Sequence, residues 1–341
     1  MRFLVASLRA ELLPLAHRLR REGHEVEALV WRARYEAAWE GALTKSVRHS
    51  DGTLEIAALE TRLREADRVL TTVRRVQELC PTAYGVAPKL TEVEPRDRLL
   101  LGGWFSGEEI QAPHLLVADW GVYPGGLGAH VLGGLTLVKL GTGGETTPNA
   151  KQPYPAFVGG SVQAAIERMK SASFRGLFHF DVEEDVTSGE LRLRGLSCGW
   201  PELHTFAFVA ELANLASTIS GEIPKLQHKY VSAVPVSVPP WPSERQGKGE
   251  SLPIEGLTPT QQGKLFWLDM QVDGRQLRTA GLDGLVAVAI GASDSTPALA
   301  RLRALELAGK LSVDGKQVRP DAGLAVDSVL ASLEDRYGFV A

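Results

Sequence analysis

Hydrophobic positions in the first thirty residues follow the spacings of a strand, a helix and a second strand. The run Met1 to Ser7 predicts the first strand, and His24 to Trp31 predicts the second. Between them, apolar side chains recur at the i, i+4, i+7 spacing of one helix face. These residues are Leu12, Ala16 and Leu19. With a further strand at Arg68 to Val73, this β-α-β opening predicts a parallel, Rossmann-like sheet.

The middle of the chain is richer in strands and contains two helical segments. Val162 to Ser171 has helical spacing. Leu203 to Ile219 is apolar nearly all round, so we expect one buried helix there. The predicted strands are Leu99 to Phe105, His114 to Asp119, His130 to Leu140, Leu177 to Val182 and Glu190 to Leu196.

A change of composition separates this part from the C-terminal part. Pro235 to Pro253 is rich in Pro, Ser and Gly, which predicts a surface loop or linker. Beyond it, Leu265 to Val272 and Leu285 to Ile290 are predicted strands. A helix is predicted from Thr296, whose hydroxyl can cap its first turn, with Pro297 at the first helical position.

Composition excludes several classes of protein. The chain has 341 residues, 44% of them hydrophobic and 23% charged, which is typical of a globular protein with a sizeable core. Its formal net charge is −4, so we expect no nucleic-acid partner and no attraction to an anionic membrane. Cys80 and Cys198 are isolated, which argues against a disulfide framework or a zinc site and favours a reducing, cytoplasmic location.

The N-terminal apolar run is not expected to be a signal peptide. It is short and interrupted by Arg9 and Glu11. No uncharged apolar stretch reaches ~18 residues, so no membrane span is predicted.

The clearest motif lies near the end of the chain, from Asp283 to Gly323. A strand that starts after glycine leads through a short polar loop to a helix of the form AxxRAxEL. An Arg-x-Asp-x-Gly segment follows, at Arg319, Asp321 and Gly323. This order and spacing resemble the closing domain of the phosphoribosylamine–glycine ligases, which belong to the ATP-grasp superfamily.

Earlier segments agree with that family in their order. GWFSGEEI, Gly103 to Ile110, resembles the family's Glu-Phe-Leu-x-Gly-Glu-Glu strand and turn. GTGGETTPN, Gly141 to Asn149, resembles its Thr-Gly-Pro-Asn-Thr-Gly-Gly loop in scrambled form. FRGLFHFDV, Phe174 to Val182, resembles the strand entered by Tyr-x-Gly. CGWPE, Cys198 to Glu202, stands where the family has Phe-Gly-Asp-Pro-Glu.

The resemblance implies an α/β and α+β fold class with three domains. We expect a Rossmann-like pre-ATP-grasp domain at residues 1–93, an ATP-grasp-like domain at 94–222 and a small mixed C-terminal domain at 223–341 with its Pro-rich connection at 235–253. The central domain is shortened. Only the twenty residues Tyr84 to Gly103 stand where the family inserts the lysine-bearing lid that covers ATP.

Nucleotide-binding candidates follow from the resemblance. Glycine-rich turns can hold a phosphate with their backbone amides, and the family's Glu-Glu pair borders its nucleotide. A flexible hairpin and ordinary surface charges are the alternatives. The candidate residues are Glu108, Glu109, Gly141, Thr142, Gly143 and Gly144.

Most of the residues that bind metal in the family are missing from this sequence. Phosphoryl transfer requires Mg²⁺ held by oxygen ligands. Aligned on CGWPE, the family's Glu-x-Asn metal pair falls on Leu193 and Gly195, and neither can bind Mg²⁺. Asp181 remains as a metal candidate on the preceding strand, and Glu190 could substitute if the register differs by a few residues.

Three hypotheses for function remain open. The first is a divergent family member without ligase activity and without a cofactor, acting as a binding, assembly or regulatory protein with a protein partner or as a homo-oligomer. The second is an altered ATP-dependent carboxylate–amine ligase that uses Mg²⁺ and forms an amide through an acyl phosphate. The third is a small-ligand enzyme that uses acid–base chemistry on the face shared by His179 and Asp181.

Overall fold

A four-stranded parallel sheet forms the N-terminal part of the protein. The computed structural model describes residues 1–31, 39, 47–49, 56–85, 99–129, 131–140, 154, 161–184, 191–200, 202–243 and 249–337. Its first elements are β1 (Arg2–Ser7), α1 (Leu13–Arg21), β2 (Glu25–Val30), β3 (Val47–His49), α2 (Ile56–Glu65), β4 (Arg68–Thr71) and α3 (Arg74–Leu79). The strand order is β3-β2-β1-β4, and every pair is parallel, as the β-α-β pattern predicts.

The rest of the described chain builds a large antiparallel sheet and the helices that cover it. The strands are β5 (Leu99–Phe105), β6 (Ile110–Trp120), β7 (Leu132–Lys139), β8 (Gly176–Glu184), β9 (Leu191–Cys198), β10 (Tyr230–Ser237), β11 (Leu265–Trp267), β12 (Gln271–Asp273), β13 (Gln276–Arg278), β14 (Leu285–Ser293) and β15 (Gln317–Val318). The helices are α4 (Ser161–Ser171), α5 (Glu202–Glu211), α6 (Leu215–Ile219), α7 (Pro259–Gln262), α8 (Pro297–Lys310) and α9 (Val326–Tyr337).

Nine strands form one antiparallel sheet in the order β11-β14-β10-β7-β6-β5-β8-β9, with β15 also paired to β10. The sheet therefore takes strands from both sides of residue 222, where we expected a domain boundary. β12 and β13 form a separate hairpin. The protein has a mixed helix and sheet architecture dominated by this large sheet.

Alternation along the strands sorts the core onto two faces. On one face, Leu100, Trp104 and Leu177 pack with α5 and with the N-terminal part. We call this side the α5 face. On the other, Leu101 and Phe178 pack with residues of α4 and α9.

The prediction of one helix from Leu203 to Ile219 is wrong. The segment forms α5 and α6, and the break is set by Asn214, whose side chain accepts a hydrogen bond from the backbone N–H of Ser217. The carboxylate of Glu22 accepts two further bonds, from the backbone N–H groups of Leu215 and Ala216. Because both helices are buried, their residues are apolar on all sides, and the sequence pattern does not show where one helix ends and the next begins.

The prediction of one strand from Leu265 to Val272 is also wrong. The segment supplies β11 to the large sheet and β12 to the hairpin. Between them the buried carboxylate of Asp269 accepts from the backbone N–H groups of Leu282 and Gly284, 3.0 Å each. This buried acceptor anchors the turn between the two strands.

The Pro-rich segment is only partly a surface connection. Pro235 to Ser237 complete the buried strand β10, and Pro235 pairs with Val288 of β14. Proline fits there because the pairing of β10 with β7 ends at Ala233, so no ladder bond on that side needs its missing N–H. Trp241 packs against the protein's own core.

Candidate functional site

Three buried histidines meet on the α5 face. Gly102 of β5 pairs with His114 of β6 on one side and with His179 of β8 on the other. Residues in one cross-strand row point to the same face, and His204 of α5 reaches them from above. The three residues are 0%, 3% and 2% exposed in the order His114, His179, His204. We call them the histidine trio.

The trio depends on the glycine in the middle of the row. A Cβ atom at position 102 would lie 2.4 Å from Nε2 of His114 and 3.1 Å from Cε1 of His204. The first distance is inside van der Waals contact. The space that the imidazole rings occupy therefore exists because residue 102 has no side chain.

The hydrogen bonds fix how the protons are placed. Nδ1 of His114 lies 2.8 Å from the carbonyl oxygen of Ala112, which can only accept, so Nδ1 carries the proton. Nε2 of the neutral ring is then an acceptor. It lies 2.7 Å from Nε2 of His204, which must donate. Nδ1 of His204 is left as a buried acceptor without a hydrogen-bond partner among the described residues.

Burial keeps the trio uncharged at neutral pH. Desolvation lowers the pKa of His114 and of His179 to about 4. It also lowers the pKa of His204 well below its ordinary value, with a further contribution from the two neighbouring histidines. Phe208 and Trp104 stack above this region with ring centroids 6.0 Å apart. The site is thus a buried, neutral histidine cluster in which the bond between His204 and His114 joins α5 to the sheet, while neither ring nitrogen of His179 has a hydrogen-bond partner among the described residues.

Asp181 lies two residues beyond His179 on β8 and is 3% exposed. Its Oδ2 is 3.6 Å from a guanidinium nitrogen of Arg194 on β9. A carboxylate beside a cation is partly neutralised, and Mg²⁺ would have to compete with the guanidinium for the same oxygen. No sequence pattern indicates this ion pair, because it arises from a shift in strand register.

That shift also changes the positions expected for the metal pair. β8 and β9 lose register between Asp181 and Val182, so Asp181 pairs with Gly195 while Val182 pairs with Leu193. Leu193 packs with the core on the face opposite α5. Arg194, which lies between Leu193 and Gly195, takes the place beside Asp181.

Glu108 and Glu109 lie far from Asp181. They occupy the turn between β5 and β6, where Oγ of Ser106 accepts from both of their backbone N–H groups, at 3.3 and 3.1 Å. The Glu108 side chain is 87% exposed, and its carboxylate is 4.0 Å from Nζ of Lys170. Asp181 pairs with Leu100, five residues before the end of β5, or roughly 16 Å along the strand.

The remaining predicted site residues lie outside the described part of the chain. These are Gly141, Thr142, Gly143, Gly144 and Glu190.

The Glu11 carboxylate lies in the loop after β1, where no functional residue is predicted from the sequence. The Glu11 side chain accepts from the backbone N–H of Leu8 at 3.2 Å and of Arg9 at 2.6 Å. It also accepts from Oγ of Ser7 at 2.9 Å and from Oγ1 of Thr72. Backbone amides converging at such a turn can bind an anion. Here a side chain of the same protein supplies that anion.

The Arg-x-Asp-x-Gly motif clamps the turn between β6 and β7. The guanidinium of Arg319 donates to both carboxylate oxygens of Asp321 and to the carbonyl oxygens of Trp120 and Gly121. Oδ2 of Asp321 in turn accepts from the backbone N–H of Gly125 at 2.9 Å. The motif therefore holds the chain's C-terminal segment against the sheet.

Among the described residues, no group of three or more His, Cys, Asp or Glu side chains is arranged to hold a metal ion. No helix there combines the length and the apolar character needed to cross a membrane.

Comparison with known proteins is informative at the level of structure. No family model matches the sequence, and no curated protein matches it. The structure is similar to that of phosphoribosylamine–glycine ligase from Thermotoga maritima, with a TM-score of 0.59 and 12% identity over 94% of this chain and 100% of the other.

It is also similar to parts of two carboxylases. Urea carboxylase from Kluyveromyces lactis matches with a TM-score of 0.59 and 9% identity over 98% of this chain and 32% of its own. Pyruvate carboxylase from Rhizobium etli matches with a TM-score of 0.55 and 11% identity over 93% of this chain and 34% of its own. This chain thus spans about a third of each carboxylase. Likeness at such low identity shows the fold alone, and the mixed helix and sheet fold of this chain is ATP-grasp-like.

Proposed function

We propose that this chain is a divergent ATP-grasp-fold protein that acts by binding, as an assembly or regulatory protein in the cytoplasm, without ATP-dependent ligase activity. In this proposal the N-terminal parallel sheet is a Rossmann-like pre-ATP-grasp domain. The chain relates to phosphoribosylamine–glycine ligases through its scaffold and the order of its motifs.

The environment of Asp181 carries this proposal. Its carboxylate is buried, lies 3.6 Å from the Arg194 guanidinium and faces Gly195 across the strand pair. A second oxygen ligand from the neighbouring strand is what a Mg²⁺ site would need there. An arginine and a glycine supply none, so the transferring phosphoryl group would lack its counterion.

The loop after β1 supports the same conclusion independently. Its converging amides already bind the carboxylate of Glu11, so a phosphorylated ligand would first have to displace that side chain. Displacement would leave a carboxylate without its four donors, which opposes binding.

The alternative is an altered ATP-dependent carboxylate–amine ligase. The fold likeness to a phosphoribosylamine–glycine ligase and to carboxylases favours it. Under that alternative, Asp181 and Glu190 would hold Mg²⁺, and residues 141–144 would contact the phosphates.

A thermal unfolding experiment with Mg-ATP separates the two. A ligand that binds only the folded state at a hundred times its Kd stabilises it by about 2.7 kcal/mol, enough to raise the Tm by several degrees. We expect no rise with millimolar Mg-ATP beyond that given by an equal ionic strength of MgCl₂.

The variant Asp181→Asn and its matched control Glu183→Gln make the result specific, since Glu183 is an exposed carboxylate on the same strand. A rise in Tm with Mg-ATP that survives in Glu183→Gln and disappears in Asp181→Asn would establish the ligase alternative.

A further inference from the structure

A cleft of about 1440 Å³ lies between α1 and α8, at the β11 edge of the nine-stranded sheet. Pockets for small molecules usually enclose ~300–1,000 Å³. The cleft is therefore large for a metabolite and has the size of a groove that receives part of a polypeptide. It is separate from the histidine trio, none of whose members lines it.

The described lining is positively charged although the whole chain is not. Five basic and three acidic side chains line the cleft, a net charge of +2, while the chain as a whole carries −4. The basic residues are Arg18, Arg21, Lys264, Arg303 and Lys310, and the acidic ones are Glu22, Glu211 and Glu306.

Two of the three acidic groups are already satisfied within the protein. Glu22 accepts from the first N–H groups of α6 and pairs with Arg18 at 3.0 Å. Glu211 accepts from the backbone N–H of His228 at 2.6 Å and faces its Nδ1 at 3.0 Å. By contrast, Arg21, Lys264 and Lys310 are exposed. The uncompensated charge of the cleft is thus positive, so the cleft favours a negatively charged ligand.

The floor between these cations is apolar. Phe266 is half-buried, and its ring stacks on Phe206 with the centroids 4.9 Å apart. Ile290 is also half-buried, and Leu307 closes the floor from α8. An occupant that matches this surface carries apolar groups between carboxylates.

The sheet edge at the floor favours a polypeptide as the occupant. β14 runs to Ser293, but its pairing with β11 ends at Ala289. Within the described chain, Ile290 to Ser293 therefore have no strand partner on that side. Such an edge can hydrogen-bond to an extended segment. Arg303 on α8 donates to the carbonyl oxygen of Ala292 there, so an extended segment would pair with the other backbone groups of this edge.

We propose that this cleft binds an acidic, partly apolar segment of a partner protein, lying extended beside residues 290–293. The proposal rests on the binding function proposed above and names the chemistry of the partner. Carboxylates of the segment pair with Lys264, Lys310 and Arg21, and its apolar side chains cover Phe266 and Ile290.

Selection of displayed random twelve-residue peptides on the full-length protein tests this. We expect the enriched peptides to be rich in Asp, Glu and apolar residues. We also expect synthetic versions to bind with an affinity that falls as salt rises.

The double variant Lys264→Glu/Lys310→Glu should weaken binding at least tenfold. The variant Arg64→Glu/Lys225→Glu, which makes the same charge change at exposed positions outside the cleft, should leave it unchanged. Circular dichroism and the Tm verify that both variants are folded.

Several results would overturn the proposal. These are the absence of enriched peptides, enrichment of basic or neutral ones, equal effects of the two double variants, or displacement of the peptide by micromolar citrate or pyrophosphate, which would identify a small anion as the occupant. None of these readouts involves Mg-ATP, so failure here and failure of the proposed function are distinguishable.

Discussion

Nε2 of His204 lies 2.7 Å from Nε2 of His114 and donates its proton to it, which joins helix α5 to the middle of the large sheet by a bond between two neutral imidazoles. This bond requires Nε2 of His114 to stay unprotonated, since two imidazolium groups would have no acceptor between them. The histidine trio is therefore a structural element whose strength depends on pH.

Acid should destabilise the protein through the trio. The folded-state pKa of His114 and of His179 is about 4, below the ordinary 6.5. As the pH falls below 6.5 the unfolded chain binds protons first, so stability is unaffected above that value and is lost between pH 6.5 and 4. The 2.5-unit difference corresponds to about 3 kcal/mol for each of the two groups at full protonation.

Denaturant unfolding at pH 7 and pH 5 measures this loss. In His179→Leu the loss should be smaller than in the wild type. Phe178→Leu, which alters the neighbouring buried residue on the opposite face, should lower stability equally at both pH values. An identical pH dependence in His179→Leu and the wild type would contradict this role.

Gly102→Ala should destabilise the protein by at least about 2 kcal/mol, because the new methyl group would overlap Nε2 of His114. Gly309→Ala is the matched control, since nothing lies within 4 Å of a Cβ there and the residue is in a helix. Removing that helical glycine should stabilise by roughly 0.5–1 kcal/mol. Urea midpoints measure both. If Gly102→Ala left the urea midpoint unchanged, the trio would not be tightly packed.

Glu11→Ala should expose the amides after β1 to an external anion. Because four donors lose their acceptor, the free energy of unfolding should fall by about 2 kcal/mol. Added phosphate should restore part of the lost Tm in the variant and not raise the Tm of the wild type, with equal ionic strength of KCl as control. An equal response of both proteins to phosphate would mean that the loop is not an anion site filled by Glu11.

Arg319→Lys should destabilise the protein by about 2 kcal/mol even though it conserves charge. A single ammonium group cannot replace the paired contacts to Asp321 together with those to the carbonyl oxygens of Trp120 and Gly121. Arg301→Lys offers a comparison, because Arg301 is half-buried and, within the described chain, donates only to the carbonyl oxygens of Ala322 and Pro320 on the same segment. Guanidinium unfolding should show the larger loss for Arg319→Lys, and equal losses would refute a specific clamp.

The sequence predicted most strands because each has a clear alternation or a continuous apolar run. It also predicted the capped start of α8, where Oγ1 of Thr296 accepts from the backbone N–H of Leu299. It could not predict that residues 203–219 form two helices, since burial of both removes the amphipathic signal. Asn214, a good N-cap residue, was the local sign of that break.

The site was harder to predict because it depends on register. Alternation placed His179 and Asp181 on one face, and both are buried on β8. His114 and His204 join them only through strand pairing and helix packing, which no local pattern encodes. Arg194 reaches Asp181 only because β8 and β9 lose register at that point. The glycine at position 102, inside an apolar strand, was the available sign of a close approach.

ADP formation is the most direct test of whether this protein is a ligase. The purified protein is incubated with Mg-ATP and the low-molecular-weight extract of its own host, and ADP and new amides are followed by mass spectrometry. We predict ADP formation no faster than without the protein. Protein-dependent ADP released in equal amount with a new amide, and abolished in Asp181→Asn but not in Glu183→Gln, would contradict it.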